Sequence, residues 1–186
     1  MSNRDLNSAF ALIKFFSKKE HYLSFLNGNT LFRTPHYYRT CEDVGRGDRN
    51  ESCLLFWGKK FGGQKPKFEL IGNSNLDFET YESVLIYPTT EQNDSWMQSW
   101  AIMGPHNGFE HSLEQLQEEF GFYFVVLPAK NIAKYAKLVE KHSGSKITYG
   151  AIRYSENPKE RSLTVKDTKF SYQKEFRFYT GQCAKD

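Results

Sequence analysis

The sequence predicts a single α+β domain spanning residues 1–186, with a mixed or largely antiparallel sheet and about three helices. Three observations carry that expectation. A chain of 186 residues fits one domain of the common ~100–200-residue size. Strand-like apolar runs outnumber helical patterns and do not alternate with them strictly, unlike the βαβα order of a doubly wound fold. The composition, 39% hydrophobic and 25% charged with 16 Phe, 11 Tyr and 3 Trp, supplies an aromatic core. At this size about two thirds of the unfolded surface becomes buried, so no disulfide or metal staple is needed.

Taken in order, "AFALIKFF" (9–16) reads as a short buried strand. "SKKEHYLSFLNGN" follows as a helix, with Ser17 and Glu20 at capping-box spacing and Gly28 as its stop. "TLFRT" (30–34) is a second strand, ended by Pro35. The polar tract "RTCEDVGRGDRNES" (39–52) carries two glycines and reads as a loop. "CLLFWG" (53–58), "KFELIG" and "SVLIYPT" are strand-like, as is "QSWAIMG" (98–104). "SLEQLQEEFG" (112–121) is a helix with Ser112 and Gln115 in box spacing, and "FYFVVLPA" (122–129) a strongly apolar strand. In "NIAKYAKLVEKHSG", Ile132, Tyr135, Ala136 and Val139 recur at i, i+3, i+4, i+7, the mark of an amphipathic helix, with Gly144 at its end. "KITYGAIRY" and "KFSYQKEFRFY" (169–179) complete the strands.

Charge and cysteine content narrow the function classes. A net charge of +3 permits contact with a polyanion without the strong basic excess typical of dedicated nucleic-acid binders. Cys41, Cys53 and Cys183 are odd in number and lack metal-ligand spacing, the N-terminus does not read as a signal peptide, and no run approaches the ~20 apolar residues of a membrane helix. A soluble protein of a reducing cytoplasm is expected. No phosphate loop, Gly-x-Ser-x-Gly elbow or Cys–His pair is present, and the five histidines have no zinc-ligand spacing.

Two stretches concentrate polar chemistry. In 169–179, period-two geometry places Tyr172, Phe176 and Phe178 on one face with Phe170, and Gln173, Glu175 and Arg177 on the other, about 7 Å from one to the next. Either that face meets water, with Glu and Arg in ordinary cross-strand pairs, or it lines a cleft. There an ionised Glu175 would stabilise a developing oxocarbenium ion or accept a proton. In 39–52, Glu42, Asp43, Asp48 and Glu51 alternate with Arg39, Arg46 and Arg49. Such a loop is solvated and self-paired, gathers a hard cation, or recognises a partner. Trp96, Trp100 and Phe109 are core aromatics or stacking platforms for a base.

The opening strand–helix–strand, "LIKFFSKKEHYLSFLNGNTLFRT", together with "QKE" at 173–175, resembles the ADP-ribosyltransferase superfamily. The resemblance covers about 40 residues in two pieces. It implies an NAD-consuming transferase acting on a protein or nucleic-acid acceptor, with Glu175 catalytic, Gln173 facing the acceptor and Arg177 beside them. Lys14 occupies the first-strand position that holds Arg or His in that superfamily, and would contact the dinucleotide phosphates. Tyr37, Tyr38 and Ser99 are the candidates for its middle motif. The "ED…RGD..E" loop with the late "YQKEFRF" also resembles an uncharacterised group of small bacterial and phage proteins. That second likeness brings no activity with it; the compact size, the incomplete catalytic set and the long charged 39–52 loop give the alternative reading, a small interaction protein that inhibits or adapts a host complex. A metal-dependent nuclease using Glu42–Glu51 is the third reading.

Overall fold

The computed structural model describes residues 11–42, 45–53, 55–62, 81–87, 94–104 and 108–183. Its frame is a five-stranded sheet of order β5-β1-β4-β9-β6 in which every neighbouring pair is antiparallel. The strands are β1 (Ala11–Phe16), β4 (Trp96–Met103), β5 (Tyr123–Pro128), β6 (Ile147–Ala151) and β9 (Glu175–Thr180). Two smaller sheets flank it: β2 (Leu55–Gly58) antiparallel to β3 (Ser83–Ile86), and β7 (Arg153–Ser155) parallel to β8 (Val165–Asp167). The α+β class and the largely antiparallel sheet are as the sequence predicts. "KFELIG" lies outside the described residues.

The three expected helices form: α1 (Lys19–Leu26), α3 (Phe109–Phe120) and α4 (Ile132–Ser143). One short helix, α2 (Pro35–Thr40), was not expected. Thr34 caps it by accepting the Tyr37 N–H, and Pro35 supplies the fixed φ and absent donor suited to a first helical position. "TLFRT" consequently makes no strand; it contributes one bridge, Arg33 to Met97, before turning into α2. Neither capping box forms. Ser17 turns its hydroxyl toward Arg46, leaving Lys18 as an N-cap without a side-chain bond. α3 begins earlier than expected, so Ser112 is a buried interior residue and Gln115 donates to Glu119.

The sheet has two differently built faces. On one, Leu12, Trp100, Phe176 and Phe178 pack against Ile132 and Ala136 of α4, with Tyr135 and Val139 beside them, as the helical period predicts. Gly144 closes α4 in the left-handed conformation at φ 68°, where its N–H reaches the Glu140 carbonyl, a conformation costly for a residue with a Cβ. On the other face Ile13 and Ala101 pack under Leu116 of α3, with Tyr172 among their neighbours. The end of α3 lies against the end of β1 at Gly121, where a Cβ would come within 2.4 Å of the Phe16 carbonyl oxygen.

Residues 169–179 are not one strand. A 3₁₀ segment covers Thr168–Gln173, Lys174 adopts φ 43°, and β9 starts at Glu175. This break overturns part of the expected facing. Tyr172 joins the Ile13 side rather than Phe176 and Phe178, and Phe170 lies beneath the Lys166 and Lys169 ammonium groups.

Candidate functional site

β1 and β4 pair only as far as Ile13 with Ala101, whereas β1 continues along β5 to Phe16 with Tyr123. The two strands diverge there, and on this side β4 has no strand partner over Gln98, Ser99 and Trp100. Farther along, Met97 exchanges backbone hydrogen bonds with Arg33 at 2.8 and 2.9 Å. Between these anchors the Ser99 carbonyl, which a regular ladder would satisfy from β1 backbone, accepts instead from the Lys14 ammonium at 2.9 Å. The gap opens into a cleft of about 480 Å³. Its walls come from β1, α1, α2, β4 and the turns around Gly45 and Glu51, and its floor from Gln173, Glu175 and Arg177.

The polar face of β9 is therefore buried, and the expectation of a solvated Gln173–Glu175–Arg177 face does not hold. Arg177 is 1% exposed. Its guanidinium forks onto both Glu51 oxygens at 2.6 and 2.8 Å, donates from Nε to Glu175, and reaches the Leu163 carbonyl at 2.8 Å. Lys166 of β8 completes the cluster, donating at 3.0 Å both to Glu175 Oε2 and to Gln173 Oε1. Gln173 ties the 39–52 tract down by donating to the Gly45 carbonyl at 2.7 Å. Two cations and two carboxylates thus meet in a closed, hydrogen-bonded group, the only arrangement in which four buried charges are tolerable.

Electrostatics follow from this packing. Desolvation would push the Glu175 carboxyl up, but Arg177 and Lys166 outweigh it and hold the group well below the usual carboxylate range. Burial pushes Glu51 up, opposed by the Arg177 fork. Burial lowers Lys14 to about 8, an effect that Glu175 opposes and Arg46 reinforces. The phenols of Tyr38 and Tyr154 are raised by burial first and by the Glu175 charge second. Tyr154 also accepts the Glu175 backbone N–H at 2.8 Å, fixing where β9 begins.

Most of the candidate site residues read from the sequence come together here. Lys14, Tyr37, Tyr38, Arg46, Glu51, Ser99, Gln173, Glu175 and Arg177 all line the cleft, although they lie as far apart as positions 14 and 177. Ser99 adds a small lowering influence on the Glu175 carboxyl. The ion pairs of the described 39–52 residues lead out of the tract, Glu51 to Arg177 and Arg39 to Asp94 at 3.5 Å, while Arg39 also holds the tract to itself by donating to the Glu51 carbonyl at 2.9 Å. Asp48 is buried and caps the Asn50 N–H, Glu42 and Arg49 are exposed, and Asp43 lies outside the described residues. Among the described residues no three His, Cys, Asp or Glu side chains gather as a metal would require. No described helix is long and apolar enough to cross a membrane.

Sequence reasoning missed Lys166, Arg33, His21 and Gln98, all on the cleft lining. Lys166 sits in the short run "VKD" with no period to mark it, and its role depends on β8 lying beside the 3₁₀ segment. Gln98 accepts from Trp100 Nε1 at 2.8 Å and from the Tyr135 hydroxyl at 2.7 Å, joining the cleft wall to α4. With the Lys166–Glu175–Arg177–Glu51 group internally neutral, Lys14, Arg33 and Arg46 leave the cleft with an excess of positive charge. Phe16, Phe25, Tyr37, Tyr38, Trp100 and Phe120 give it aromatic walls. Such a site suits a ligand with both an anionic and a planar part. No protein-family model, curated protein or solved structure matches this chain.

Proposed function

We propose that the cleft between β1 and β4 binds NAD, and that the protein transfers ADP-ribose to a protein or nucleic-acid acceptor. The observation that carries this reading is the convergence of Lys14, Ser99, Gln173 and Glu175 on one cleft. These are the positions that the resemblance to ADP-ribosyltransferases assigns to the dinucleotide, the middle motif and the reacting ribose. Lys14, with Arg46 near it, would meet the phosphates, and the aromatic walls would meet the planar rings.

In this reading Glu175 is a fixed negative charge beneath the ribose. Its acceptor positions are taken twice by Arg177 and once by Lys166. The acceptor capacity that remains on the carboxylate would take a ribose hydroxyl. Departure of nicotinamide breaks the bond from ribose C1′ to the ring nitrogen, and both electrons leave with the neutral nicotinamide. The oxocarbenium left behind is stabilised by the Glu175 carboxylate until the acceptor attacks C1′ and loses its proton to water. Because that carboxylate is preorganised, no reorganisation is required as charge develops.

The test is release of labelled nicotinamide from NAD, with the protein alone and with cell lysate. Wild type releases it, Lys14→Gln raises KM more than it lowers kcat, and Glu175→Gln loses turnover while remaining folded by circular dichroism. Absence of release from the wild type under both conditions overturns the proposal.

A second reading draws on the sheet edge. Phe122 is 74% exposed, and Phe124 and Val126 of β5 are each 46% exposed on the strand that ends the five-stranded sheet among the described residues. That surface favours a small interaction protein that inhibits or adapts a host complex by strand addition. Replacing Phe124 and Val126 by Lys would then abolish partner capture without altering the cleft.

A further inference from the structure

A second concentration of positive charge lies on α4, whose lysines are not part of the cleft lining. Lys130, at the entrance to α4, and Lys134, Lys137 and Lys141 within it fall every three or four residues, one stripe along the helix. All four are exposed. Among the described residues none of their ammonium groups has a carboxylate within ion-pair distance. The one acidic residue of the helix, Glu140, spends its carboxylate on the Ile147 N–H at 2.9 Å. Residues 130–146 hold five lysines against that single glutamate, a larger excess than the +3 of the whole chain. The remainder of the chain is therefore close to neutral in net charge, and this stretch alone accounts for the overall excess.

We propose that the α4 lysine stripe binds the phosphate backbone of a nucleic-acid duplex, as a site separate from the cleft. At 1.5 Å per residue the stripe runs about 16 Å, long enough to meet several successive phosphates. The chemistry of the face selects this ligand over other polyanions. A helix lying in an anionic membrane keeps a broad apolar side for the lipid. Here Ile132, Tyr135, Ala136 and Val139 are consumed by the core, leaving only Ala133 and Leu138 as apolar residues outward among the lysines. Single strands are held by aromatic platforms between the charges. The aromatic residue of α4, Tyr135, instead points inward and donates to Gln98. What remains is a rigid row of point charges without base-reading groups, which matches a duplex backbone and implies binding indifferent to sequence.

The experiment is fluorescence anisotropy of labelled 20-base-pair DNA and RNA duplexes, a 20-nucleotide single strand, and vesicles containing phosphatidylserine, over 50–200 mM salt. The proposal expects duplex binding whose log K falls with log salt at a slope of about −3.6 for four contacts. The variant with Lys134, Lys137 and Lys141 all changed to Gln should lose at least tenfold in affinity and bring the slope to about −1. Because these side chains are exposed, its melting temperature should stay with wild type, while Lys18→Gln with Lys19→Gln leaves binding unchanged. No duplex binding at 50 mM salt, equal binding by the triple variant, or preference for the single strand or the vesicles would each overturn the assignment.

Discussion

The two faces of β9 are built on opposite principles one residue apart. Phe176 and Phe178 are fully buried among apolar partners, a contact that is non-directional and forgiving of shape. Glu175 and Arg177 are equally buried, but every oxygen and nitrogen in their group depends on a particular partner, from Glu51 in a turn to Lys166 on β8. The apolar face is held by the amount of surface buried; the polar face is held by complete pairing. The comparison teaches where a site is housed. The polar face fixes the Glu175 carboxylate in the cleft because its members cannot move independently, whereas the apolar face only has to be full.

The comparison is broken most severely at Arg177. Arg177→Met removes the cation between two buried carboxylates and should destabilise by about 3–5 kcal/mol, read from the urea midpoint. Leu12→Met, equally buried on the apolar face, should cost less than about 1.5 kcal/mol. Equal losses for the two variants would erase the distinction. Glu175→Gln comes next, at about 2–3 kcal/mol, since it keeps the shape but leaves Lys166 and Arg177 short of one negative charge.

Its pH signature has a definite sign. Glu175 is held below its unfolded value, so its contribution is complete at neutral pH and is lost as pH falls from about 4 toward the folded value. Acid should therefore destabilise wild type more steeply than Glu175→Gln.

Lys14 sharpens the contrast from the other direction. Burial lowers it to about 8, so above that pH the native state has released a proton that the unfolded chain, with a lysine near 10.4, still binds. Stability tied to Lys14 should rise between pH 8 and 9.5 in wild type and stay flat in Lys14→Met; parallel profiles would contradict this. The smallest effect is at the junction of the two faces. Tyr135→Phe loses the 2.7 Å bond to Gln98 and should cost about 1 kcal/mol without altering the sheet.

What was legible in the sequence was local. The i, i+3, i+4, i+7 pattern of α4 and its closing Gly144 need only neighbouring residues, and both hold as read. Glu175 and Arg177 share a face because β9 has period two from its first residue. Gln173 reaches the same group by a different route, through the 3₁₀ segment and the left-handed Lys174, which no strand pattern encodes. The burial of that face was not legible because its cover comes from 126 positions away, where Glu51 closes over Arg177. The same fold-back explains the 39–52 tract, which reads as a solvated loop until a partner outside it is known. The cleft itself arises where β1 leaves β4, a register event between residues 13 and 99 that composition and periodicity do not register.

The most direct test of the central claim is calorimetric titration of NAD into the protein and into Lys14→Gln, at pH 7 and pH 9. The account predicts one site per chain, weaker in the variant at pH 7. Wild-type affinity should fall by pH 9 as Lys14 gives up its charge, whereas the variant should be insensitive to the change. No heat of binding in the wild type, or binding that neither pH nor Lys14 alters, would show that the cleft is not the dinucleotide site.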